Sequence, residues 1–484
     1  MSLESILDTG AHRLAKRQNN LRVKKRYLFT RTKTMKILLK YPTRGRPQKA
    51  MGVLQVYVNL AADPSRLGLV LSCDEDDSTM TPSVRTQLNA IASPLAFKRI
   101  CVGRNASKIA ACNADMNIEW DWDIVVLVSD DMIPQVRGYD DAIRSHMLAS
   151  FPDTDGLLWI NDGFQGQTLN TLTIFGRRLY DSFGYMYHPS YTSLYSDTEL
   201  TDLCKTTLKD KTLYIPHCII RHEHPIAGFG KMDALYNKNN AFWEADMRTY
   251  ISRKDYPYQW SILIPTMPGR DAQLQALLAR IHEKVTWTRP EIRIDYDNRT
   301  ASIGEKRQRL LQGARGKYMS FVDDDDELTD AYFEDVQRCI ESGSDVMRLH
   351  GRIGNFVFTH SIDFKTGFMA RLPNEFLRTP NHLNLILTDI AKLIPFKSIK
   401  RGEDLEWSVA LSRLGVLRSE YCPDPSRIHY IYNYQGSTDP SGLFEYQKSH
   451  THEEFLQYAM THVPIGTPQR QPGMRLGPRG FVSK

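Results

Sequence analysis

Four consecutive aspartates, Asp323 to Asp326, are the residues of this sequence best suited to metal chemistry. They lie in the segment YMSFVDDDDELTD, directly after a short apolar run that is typical of a buried strand. Like charges at contact distance repel and raise one another's pKa, so such a run is kept either in solvent or around a cation. Carboxylate oxygens are the ligands that Mg²⁺ and Mn²⁺ prefer. The run therefore indicates a solvated turn or a divalent-metal site at the end of a strand.

A weaker acid motif lies roughly two hundred residues upstream, in the segment LVSDDMIP. Its two acids, Asp130 and Asp131, also follow an apolar run, residues 123–128. The two motifs indicate that one arrangement occurs twice in the chain.

Each acid motif is followed by a segment of helical spacing that begins with acids, and then by a histidine. Asp197 in SDTEL lies 25 residues before His222, and Asp404 in EDLEW lies 25 residues before His429. The equal spacing predicts that each copy combines an acid motif, an acid at a helix start and a histidine. The simpler alternatives are that the helix-start acids only favour the helix N-terminus and that His429 is an ordinary polar strand residue.

Strand-like and helix-like segments alternate in both halves of the chain. The strand-like segments are residues 35–43, 66–77, 97–103, 121–132, 258–266, 290–298 and 318–322, and the helix-like segments are residues 48–61, 107–118, 272–285, 304–317 and 402–411. This alternation predicts an α/β fold with a largely parallel sheet, in which ligands bind at the carboxyl ends of the strands. Both acid motifs lie at such ends. We therefore predict two α/β domains in tandem, joined near residues 253–258.

The chain's 484 residues are too many for one compact core, and its 41% hydrophobic content is ordinary for a soluble globular protein. The net charge of +6 is uneven, since residues 1–36 carry +8, residues 463–484 carry +4 and the middle carries −6. A basic terminus suits nucleic acid or an anionic membrane surface, or it only solubilises the chain end. The expected organisation is a basic N-terminal arm over 1–35, domains over 36–252 and 258–450, and a basic flexible tail over 463–484.

The longest apolar runs are strand-sized and too short to cross a membrane, and no secretory signal is visible at the N-terminus. The seven cysteines are scattered without a CxxC pair, which argues against a zinc cage or a disulfide framework. We therefore expect a cytoplasmic protein without a transmembrane segment. The sequence does not fix the oligomeric state.

The segments GARGKYMSFVDDDDELTD and GEDLEWSVALSRLG resemble the GT-A class of nucleotide-sugar glycosyltransferases, particularly its family-2-like members. In that class a turn of type A-x-G-x-Y leads into a strand ending in a D-x-D motif, and a Glu-Asp pair opens a helix in the acceptor half. The segments MKILLKYPTRGRP, LSCDEDD and VVLVSDDMIPQVRGYDDAI resemble variants from bacterial, phage and large-virus chains, although Ser129 replaces the first aspartate of the motif. The resemblance covers roughly residues 36–230 and 258–440. It implies two Rossmann-like GT-A domains in tandem. If the chain is phage-encoded, the expected location is the cytoplasm of the host.

For the second copy, the resemblance implies a nucleotide-sugar site with Mn²⁺ or Mg²⁺ and a general base. Asp325 would be a direct metal ligand, His429 would be a further metal ligand, and Asp404 would deprotonate the acceptor hydroxyl. The donor, a UDP-sugar before other nucleotide-sugars, would be held by Pro265, Thr266, Arg270, Asp297, Asp323 and Asp324. Asp326 would serve either in the motif or as a helix cap, and the basic run Lys306, Arg307 and Arg309 would meet phosphates or solvent.

For the first copy, the resemblance implies a second, similar site. Asp131 would be the metal ligand, His222 a further ligand with His224 as its competitor, and Asp197 the base with Glu199 as second candidate. The nucleotide would be held by Pro42, Thr43, Arg44, Asp74 and Asp130. The aromatic residues within 159–164 and 180–195 would stack on sugars or bases, or simply pack in the core.

Three interpretations of the acceptor compete. The first is a hydroxymethylated base in phage-type DNA, gripped through the basic N-terminal arm. The second is a growing polysaccharide, since tandem GT-A chains also build alternating polymers. The third is a scaffold that binds a nucleotide or glycan without turnover, against which the two complete acid and histidine sets argue.

Overall fold

A computed structural model of the protein describes residues 35–229, 231–353, 356–364, 370–372, 375–432, 475–477 and 480–482. The arm predicted over residues 1–35 lies outside the described residues except for Met35, and of the tail predicted over residues 463–484 only residues 475–477 and 480–482 are described. The chain divides into two compact units, Met1–Lys254 and Asp255–Lys484, here called unit 1 and unit 2.

Unit 1 alternates strands and helices. Its strands are β1 Ile37–Thr43, β2 Leu67–Asp74, β3 Phe97–Gly103, β4 Ile124–Leu127, β5 Met132–Pro134, β6 Leu157–Ile160, β7 Thr173–Gly176, β8 Thr212–Ile215 and β9 Ile220–His222. Its α-helices are α1 Pro47–Leu60, α2 Pro82–Ile91, α3 Lys108–Asn113, α4 Tyr139–Ser150, α5 Arg177–Phe183, α6 Ser196–Lys205, α7 Ala234–Asn240 and α8 Trp243–Arg253.

Seven strands of unit 1 form one sheet in the order β3-β2-β1-β4-β7-β6-β8. The strands β1 to β4 are mutually parallel, whereas β7 runs antiparallel to β4 and β6. The remaining strands, β5 and β9, form a separate antiparallel ribbon. This ribbon begins directly after the acid motif of unit 1.

The central strands of unit 1 are apolar because helices cover both of their faces. Almost every residue of β1 and β2 is buried, which is typical of parallel strands inside an α/β sheet. The helix α1 begins with Pro47, whose fixed φ suits the first helical position, and it buries Ala50, Leu54 and Tyr57 at helical spacing. The apolar pattern thus fixes the register of the strands whose ends form the site.

Unit 2 repeats this alternation. Its strands are β10 Tyr258–Thr266, β11 Glu291–Tyr296, β12 Gly316–Phe321, β13 Glu327–Leu328, β14 Val346–Met347, β15 Leu349–Ile353, β16 Phe356–His360, β17 Ala370–Leu372, β18 Glu375–Arg378, β19 Ile386–Leu387, β20 Glu420–Tyr421, β21 Tyr430–Tyr432, β22 Arg475–Gly477 and β23 Gly480–Val482. Its α-helices are α9 Asp271–Lys284, α10 Ile303–Gly313, α11 Asp330–Ser342, α12 Thr388–Ala391 and α13 Glu403–Leu414.

The main sheet of unit 2 has the order β11-β10-β12-β19-β14-β20 and matches that of unit 1 strand for strand, apart from β3. β10, β11 and β12 are parallel, β19 is antiparallel to β12 and β14, and β20 is parallel to β14. The antiparallel pair β13 and β21 corresponds to the ribbon β5 and β9, and here it belongs to a second, six-stranded sheet. The two units therefore share one topology.

The predicted α/β class with largely parallel, Rossmann-like sheets is confirmed in both units. Each strand-like segment of the sequence contains a strand, namely β1, β2, β3, β4, β10, β11 and β12, and each helix-like segment contains a helix, namely α1, α3, α9, α10 and α13. No helix in the described part of the chain has both the length and the apolar character needed to cross a bilayer.

Candidate functional site

Unit 1 contains a cleft of about 420 Å³ at the edge of the sheet where β1, β2 and β4 end. The register pairs Thr43 with Cys73 and Lys40 with Leu127, so the residues that follow these three strands lie at one level. Nine of the candidate residues named from the sequence line this cleft, namely Pro42, Thr43, Arg44, Asp74, Asp130, Asp131, Asp197, His222 and His224.

Asp130 and Asp131 are both buried, but they have different partners. Asp130 accepts a hydrogen bond from Arg46 Nη1 at 2.9 Å, and the Arg46 guanidinium lies over the ring of Tyr236. Asp131 Oδ2 accepts from the Tyr236 hydroxyl at 2.8 Å, and its Oδ1 accepts from Ser129. Arg46 therefore pairs with the first acid while also binding Asp233, whereas hydroxyl donors orient the second acid.

His222 lies between two carboxylates. Its Nε2 is 3.6 Å from Asp131 Oδ2, and its Nδ1 is 3.6 Å from Asp162 Oδ2. Asp162 is itself fixed, because its Oδ1 accepts from the backbone N–H groups of residues 164–166 at 2.6 to 3.2 Å and its Oδ2 accepts from the Thr171 hydroxyl at 2.6 Å. Asp162 thus holds the imidazole facing Asp131.

The charges of these groups are strongly coupled. Burial lowers the pKa of His222, but Asp131 and Asp162 outweigh burial and raise this pKa to about 9. Burial raises the pKa of Asp131, but His222, Ser129 and Tyr236 outweigh it and hold this pKa far below its ordinary value. Without a bound cation, the site is therefore a carboxylate–imidazolium pair at neutral pH.

The residues predicted to contact the base and ribose lie together at the adjacent ends of β1 and β2. Asp74 accepts hydrogen bonds from Arg44 Nη1 at 2.7 Å and from Asn105 Nδ2 at 2.8 Å. Arg44 also forms a two-pronged pair with Asp76 at 2.5 and 2.8 Å. The hydroxyl of Thr43 is buried in the cleft without a hydrogen-bond partner.

Asp197 is the second residue of α6, and the residue before this helix, Tyr195, adopts the left-handed conformation with φ 62°. Burial raises the pKa of Asp197, which makes it a stronger base near neutral pH. Glu199, the second candidate, lies away from the cleft lining and pairs with Arg253 at 2.7 Å and with the Tyr191 hydroxyl at 2.5 Å. Of the two candidates, Asp197 therefore lies at the cleft and Glu199 does not.

Unit 2 contains a smaller cleft, about 200 Å³, at the corresponding edge of its sheet. Six predicted site residues line it, namely Pro265, Thr266, Arg270, Asp323, Asp324 and Asp325, together with Lys306 and Arg307 of the basic run. The third member of that run, Arg309, pairs instead with Asp295 at 2.8 Å on the exposed side of α10.

Asp324 and Arg270 reproduce the acid–arginine pair of unit 1. Asp324 accepts from Arg270 Nη1 at 2.6 Å and from the Thr266 hydroxyl at 2.5 Å. Arg270 follows the first strand of its unit, as Arg46 does in unit 1, and it also lies 3.0 Å from Asp325. Burial raises the pKa of Asp325, Arg270 lowers it, and the charges of Asp323 and Asp324 raise it further, so that the pKa lies above its ordinary value.

Asp297, predicted to contact the ribose, lies outside the cleft lining and closes its own loop. It accepts hydrogen bonds from the hydroxyl and backbone N–H of Thr300 and from the backbone N–H of Ala301. These bonds lower the pKa of Asp297 to about 2. Lys306 lies 3.6 Å from Asp297 and donates to the Thr266 carbonyl at 2.8 Å, so both residues brace the end of β10.

Asp323 and Asp404 converge on a buried histidine that the sequence did not single out. His382 Nε2 is 3.8 Å from Asp323, and its Nδ1 is 3.7 Å from Asp404, which also lies 3.6 Å from Arg378. Arg307 contacts Asp323 at 3.2 Å. Burial raises the pKa of Asp404, but Arg378, His382 and Arg307 outweigh burial and lower it, so Asp404 takes up a proton less readily than Asp197.

The structure does not bring His429 to the aspartate run. Its Nδ1 accepts from the His350 backbone N–H at 3.0 Å, and its Nε2 contacts Asp335 of α11 at 3.1 Å. The predicted role of His429 as a metal ligand therefore requires correction, because both ring nitrogens already have partners. Asp326 is also not a helix cap, since Thr329 precedes α11 and Asp326 accepts from the Tyr430 hydroxyl at 2.6 Å.

The ribbon registers explain why the equal 25-residue spacing misleads. In unit 1, His222 pairs with Met132, the residue after Asp131. In unit 2, Ile431 pairs with Glu327, so the position opposite Asp326, the residue after Asp325, belongs to Tyr432. The stretch from the helix-start aspartate to this register position is three residues longer in unit 2, because α13 is two residues longer than α6 and the connection that follows it is one residue longer. Tyr432, and not His429, therefore occupies the register position of His222.

The donor sets of the two clefts suit a divalent metal to different degrees. In unit 1, Asp131 Oδ2 and His222 Nε2 are too far apart for a hydrogen bond, yet near enough to contact one cation, and this carboxylate–imidazole set suits Mn²⁺ better than Mg²⁺. In unit 2, the aspartates offer oxygen alone. Within the described ranges, no three His, Cys, Asp or Glu side chains are grouped to hold a metal unaided, so substrate or water must complete either set.

Four residues of these sites were not found from the sequence, namely Arg46, Asp162, Tyr236 and His382. Arg46 carried a usable signal, because it follows the Pro-Thr end of β1 at nearly the distance that separates Arg270 from the Pro-Thr end of β10. The other three reach the acids only through the tertiary fold.

No family model matches the sequence, and no curated protein sequence matches it either. Among solved structures, the chain is similar to the mannosyltransferase PcManGT from Pyrobaculum calidifontis in complex with GDP-Man and Mn²⁺, at 14% identity and a TM-score of 0.32 over 52% of this chain and 81% of that one. It is similar to residues 1–349 of S. aureus TarS in complex with UDP-GlcNAc, at 16% identity and a TM-score of 0.26 over 39% and 64%. A mycobacterial protein matches at 13% identity and a TM-score of 0.34 over 48% and 80%.

Proposed function

We propose that the protein is a hexosyl- or pentosyltransferase with two GT-A-type active sites, each moving a sugar from a nucleotide-sugar to an acceptor hydroxyl. One observation carries the proposal. Each unit has an acid–arginine pair at the end of its central strand, and each has an aspartate two residues after a left-handed turn that opens a helix. Shared topology alone does not require these side chains, so their repetition supports a shared chemistry.

In unit 1, the nucleotide-sugar would lie along the ends of β1, β2 and β4. Arg44, Asp74 and the buried Thr43 hydroxyl would contact the base and ribose, and Asp131 and His222 would hold a divalent metal against the diphosphate. When bound, that metal would neutralise the charge that develops on the leaving nucleoside diphosphate.

The acceptor hydroxyl would lose its proton to Asp197 as its oxygen attacks the anomeric carbon of the sugar. The raised pKa of Asp197 supports this role, because a carboxylate that is costly to keep charged takes up a proton more readily. In unit 2, Asp404 would play the same part beside Asp323, Asp324 and Asp325.

For the acceptor, we propose a hydroxymethylated base in phage-type DNA. The charge of +8 on residues 1–36 supports this choice, since a basic arm grips phosphates and makes binding depend on salt. A growing glycan is the competing acceptor, and the basic arm would then serve at an anionic lipid surface.

Donor hydrolysis by the full chain tests the transferase proposal. UDP-, GDP- and TDP-sugars are incubated with Mn²⁺, and the released diphosphate is measured for the wild type, Asp131→Ala and Asp325→Ala. At least one donor should turn over, and each variant should lose the turnover of its own unit. Absence of turnover with every donor, together with unchanged nucleotide binding in both variants, would instead support the scaffold.

Retention on double-stranded DNA tests the acceptor. The full chain and a chain lacking residues 1–34 are compared at 50 and 200 mM salt, where six or more phosphate contacts change affinity by about 10³-fold. DNA binding that depends on the arm and on salt supports the DNA acceptor. Equal retention of both chains would refute it and leave the glycan acceptor.

A further inference from the structure

The three residues before the left-handed turn of unit 1 are held by a single buried carboxylate. Asp246 of α8 accepts the backbone N–H of Thr192 at 2.8 Å on Oδ1, and those of Ser193 and Leu194 at 2.7 Å each on Oδ2. Hydrogen bonds to a charged acceptor are about twice as strong as neutral ones. The backbone of residues 192–194 is therefore fixed from behind, and all three residues line the cleft.

This fixed loop leads directly to the proposed base. Tyr195 follows it at φ 62°, a conformation that costs a non-glycine residue about 1 kcal/mol or more. The ring of Tyr195 packs at 5.6 Å from Tyr250, which lies one turn beyond Asp246 on α8. Because strain of this kind persists only where the surroundings enforce it, α8 sets the direction in which Asp197 enters the cleft.

Ser193 places an unsatisfied hydroxyl in the same wall. The residue is 3% exposed, and its Oγ has no hydrogen-bond partner. Burying a hydroxyl without a partner costs about 1 to 3 kcal/mol, so a structural role for this side chain is unfavourable. A ligand hydroxyl in the cleft would satisfy it.

We infer that Ser193 belongs to an acceptor subsite in unit 1, where its hydroxyl hydrogen-bonds the hydroxyl-bearing acceptor next to Asp197. Asp246 is the positioning residue that holds this subsite and the base in one rigid segment. The inference rests on the proposed function and deepens it. The inference also distinguishes unit 1 from unit 2, because the residue before the helix that contains Asp404 is Gly402 and not a strained tyrosine.

The test uses the full chain carrying Asp325→Ala, so that only unit 1 turns over, with and without Ser193→Ala. The donor is the nucleotide-sugar that the donor panel identifies. The acceptors are a single-stranded oligonucleotide with one hydroxymethylcytosine and, separately, glycerol. The ratio of transfer to donor hydrolysis should fall about five- to tenfold in Ser193→Ala, the factor that one neutral hydrogen bond supplies, at an unchanged KM for the donor.

Thermal unfolding provides the second readout. Ser193→Ala should keep or raise Tm, because an unsatisfied buried hydroxyl is removed. Thr198→Val is the matched control, since Thr198 Oγ1 is also buried without a partner but lies outside the cleft lining, and it should leave the ratio unchanged. An unchanged ratio in Ser193→Ala, or a clear drop in its Tm, would overturn the subsite. Absence of turnover in the Asp325→Ala chain itself would overturn the proposed function of unit 1.

Discussion

Asp162 fixes the orientation of His222 in unit 1, although it lies sixty residues earlier in the sequence. Burial raises the pKa of Asp162, but His222, Thr171 and the backbone N–H groups outweigh burial and lower it to about 2. A carboxylate whose folded pKa is lowered adds stability above its unfolded pKa and loses it as pH falls through the folded one. The charge of Asp162 therefore stabilises unit 1 at neutral pH.

Asp162→Asn should lower the free energy of unfolding by about 2 kcal/mol at pH 7, because the shift of the pKa from 3.8 to about 2 is lost. The difference from the wild type should shrink as the pH is lowered from about 4 towards 2. Urea unfolding at pH 7, 4 and 3 measures this trend. Asp153→Asn is the control, because an exposed carboxylate paired with Arg178 should contribute less than about 1 kcal/mol. A pH-independent difference would contradict this account.

Single residues were predictable where they follow an apolar strand directly. Asp130 and Asp131 were found in this way, because the end of a parallel strand marks the ligand edge of the sheet. His382 and Tyr236 were not, since the loop or helix that carries each of them reaches the acids only after folding. The position of His429 was predicted wrongly because a spacing along the chain does not determine the register in which strands pair. Unit 2 has three more residues between the helix-start aspartate and the strand position that His222 occupies in unit 1, so Tyr432 lies at that position.

At the scale of elements, the long and strongly patterned segments were predicted and the short ones were not. The strands β1 and β10 are apolar and end in Pro-Thr, so the sequence predicts both that they are strands and where they end. The ribbon β5 and β9 consists of three-residue strands, which no period can identify, and it is formed by pairing across more than eighty residues. Short strands of this kind position the site residues, although no local pattern in the sequence marks them.

The helix α13 offers a clean test of how an element positions a side chain. Gly402 and Gly415 flank it in the left-handed conformation, at φ 77° and 66°, and a Cβ added at either would meet nothing within 4 Å. Gly402→Ala and Gly415→Ala should therefore each cost about 1 kcal/mol of stability through backbone strain alone. Urea unfolding measures both.

Only Gly402→Ala should also reduce sugar transfer by unit 2, by about tenfold, because a shifted helix start displaces Asp404 whereas a shifted helix end does not. Sugar transfer is measured in a chain carrying Asp131→Ala, so that unit 1 is inactive. Equal loss of transfer in both alanine variants would show that the start of α13 has no special role.

At the scale of the whole molecule, one topology carries two different electrostatic environments. In unit 1, the proposed base Asp197 is partly buried, and the charges around it do not offset the cost of burying its own charge. In unit 2, Arg378, His382 and Arg307 surround Asp404 and more than offset that cost. The two sites therefore contain corresponding aspartates but differ in how readily the proposed base of each site is ionised.

This difference predicts separate pH profiles for the two units. A base must be deprotonated to act, so the acid limb of kcat/KM follows its pKa. Because the pKa of Asp197 is raised and that of Asp404 is lowered, the unit 1 reaction should lose activity at a higher pH than the unit 2 reaction. Profiles of Asp325→Ala, which leaves unit 1, and of Asp131→Ala, which leaves unit 2, measure the two limbs with one donor. Coincident limbs, or limbs in the reverse order, would mean that these carboxylates are not the bases. The other matched pair with opposite shifts, Asp131 and Asp325, would give the reverse order, because the pKa of Asp131 is lowered and that of Asp325 is raised.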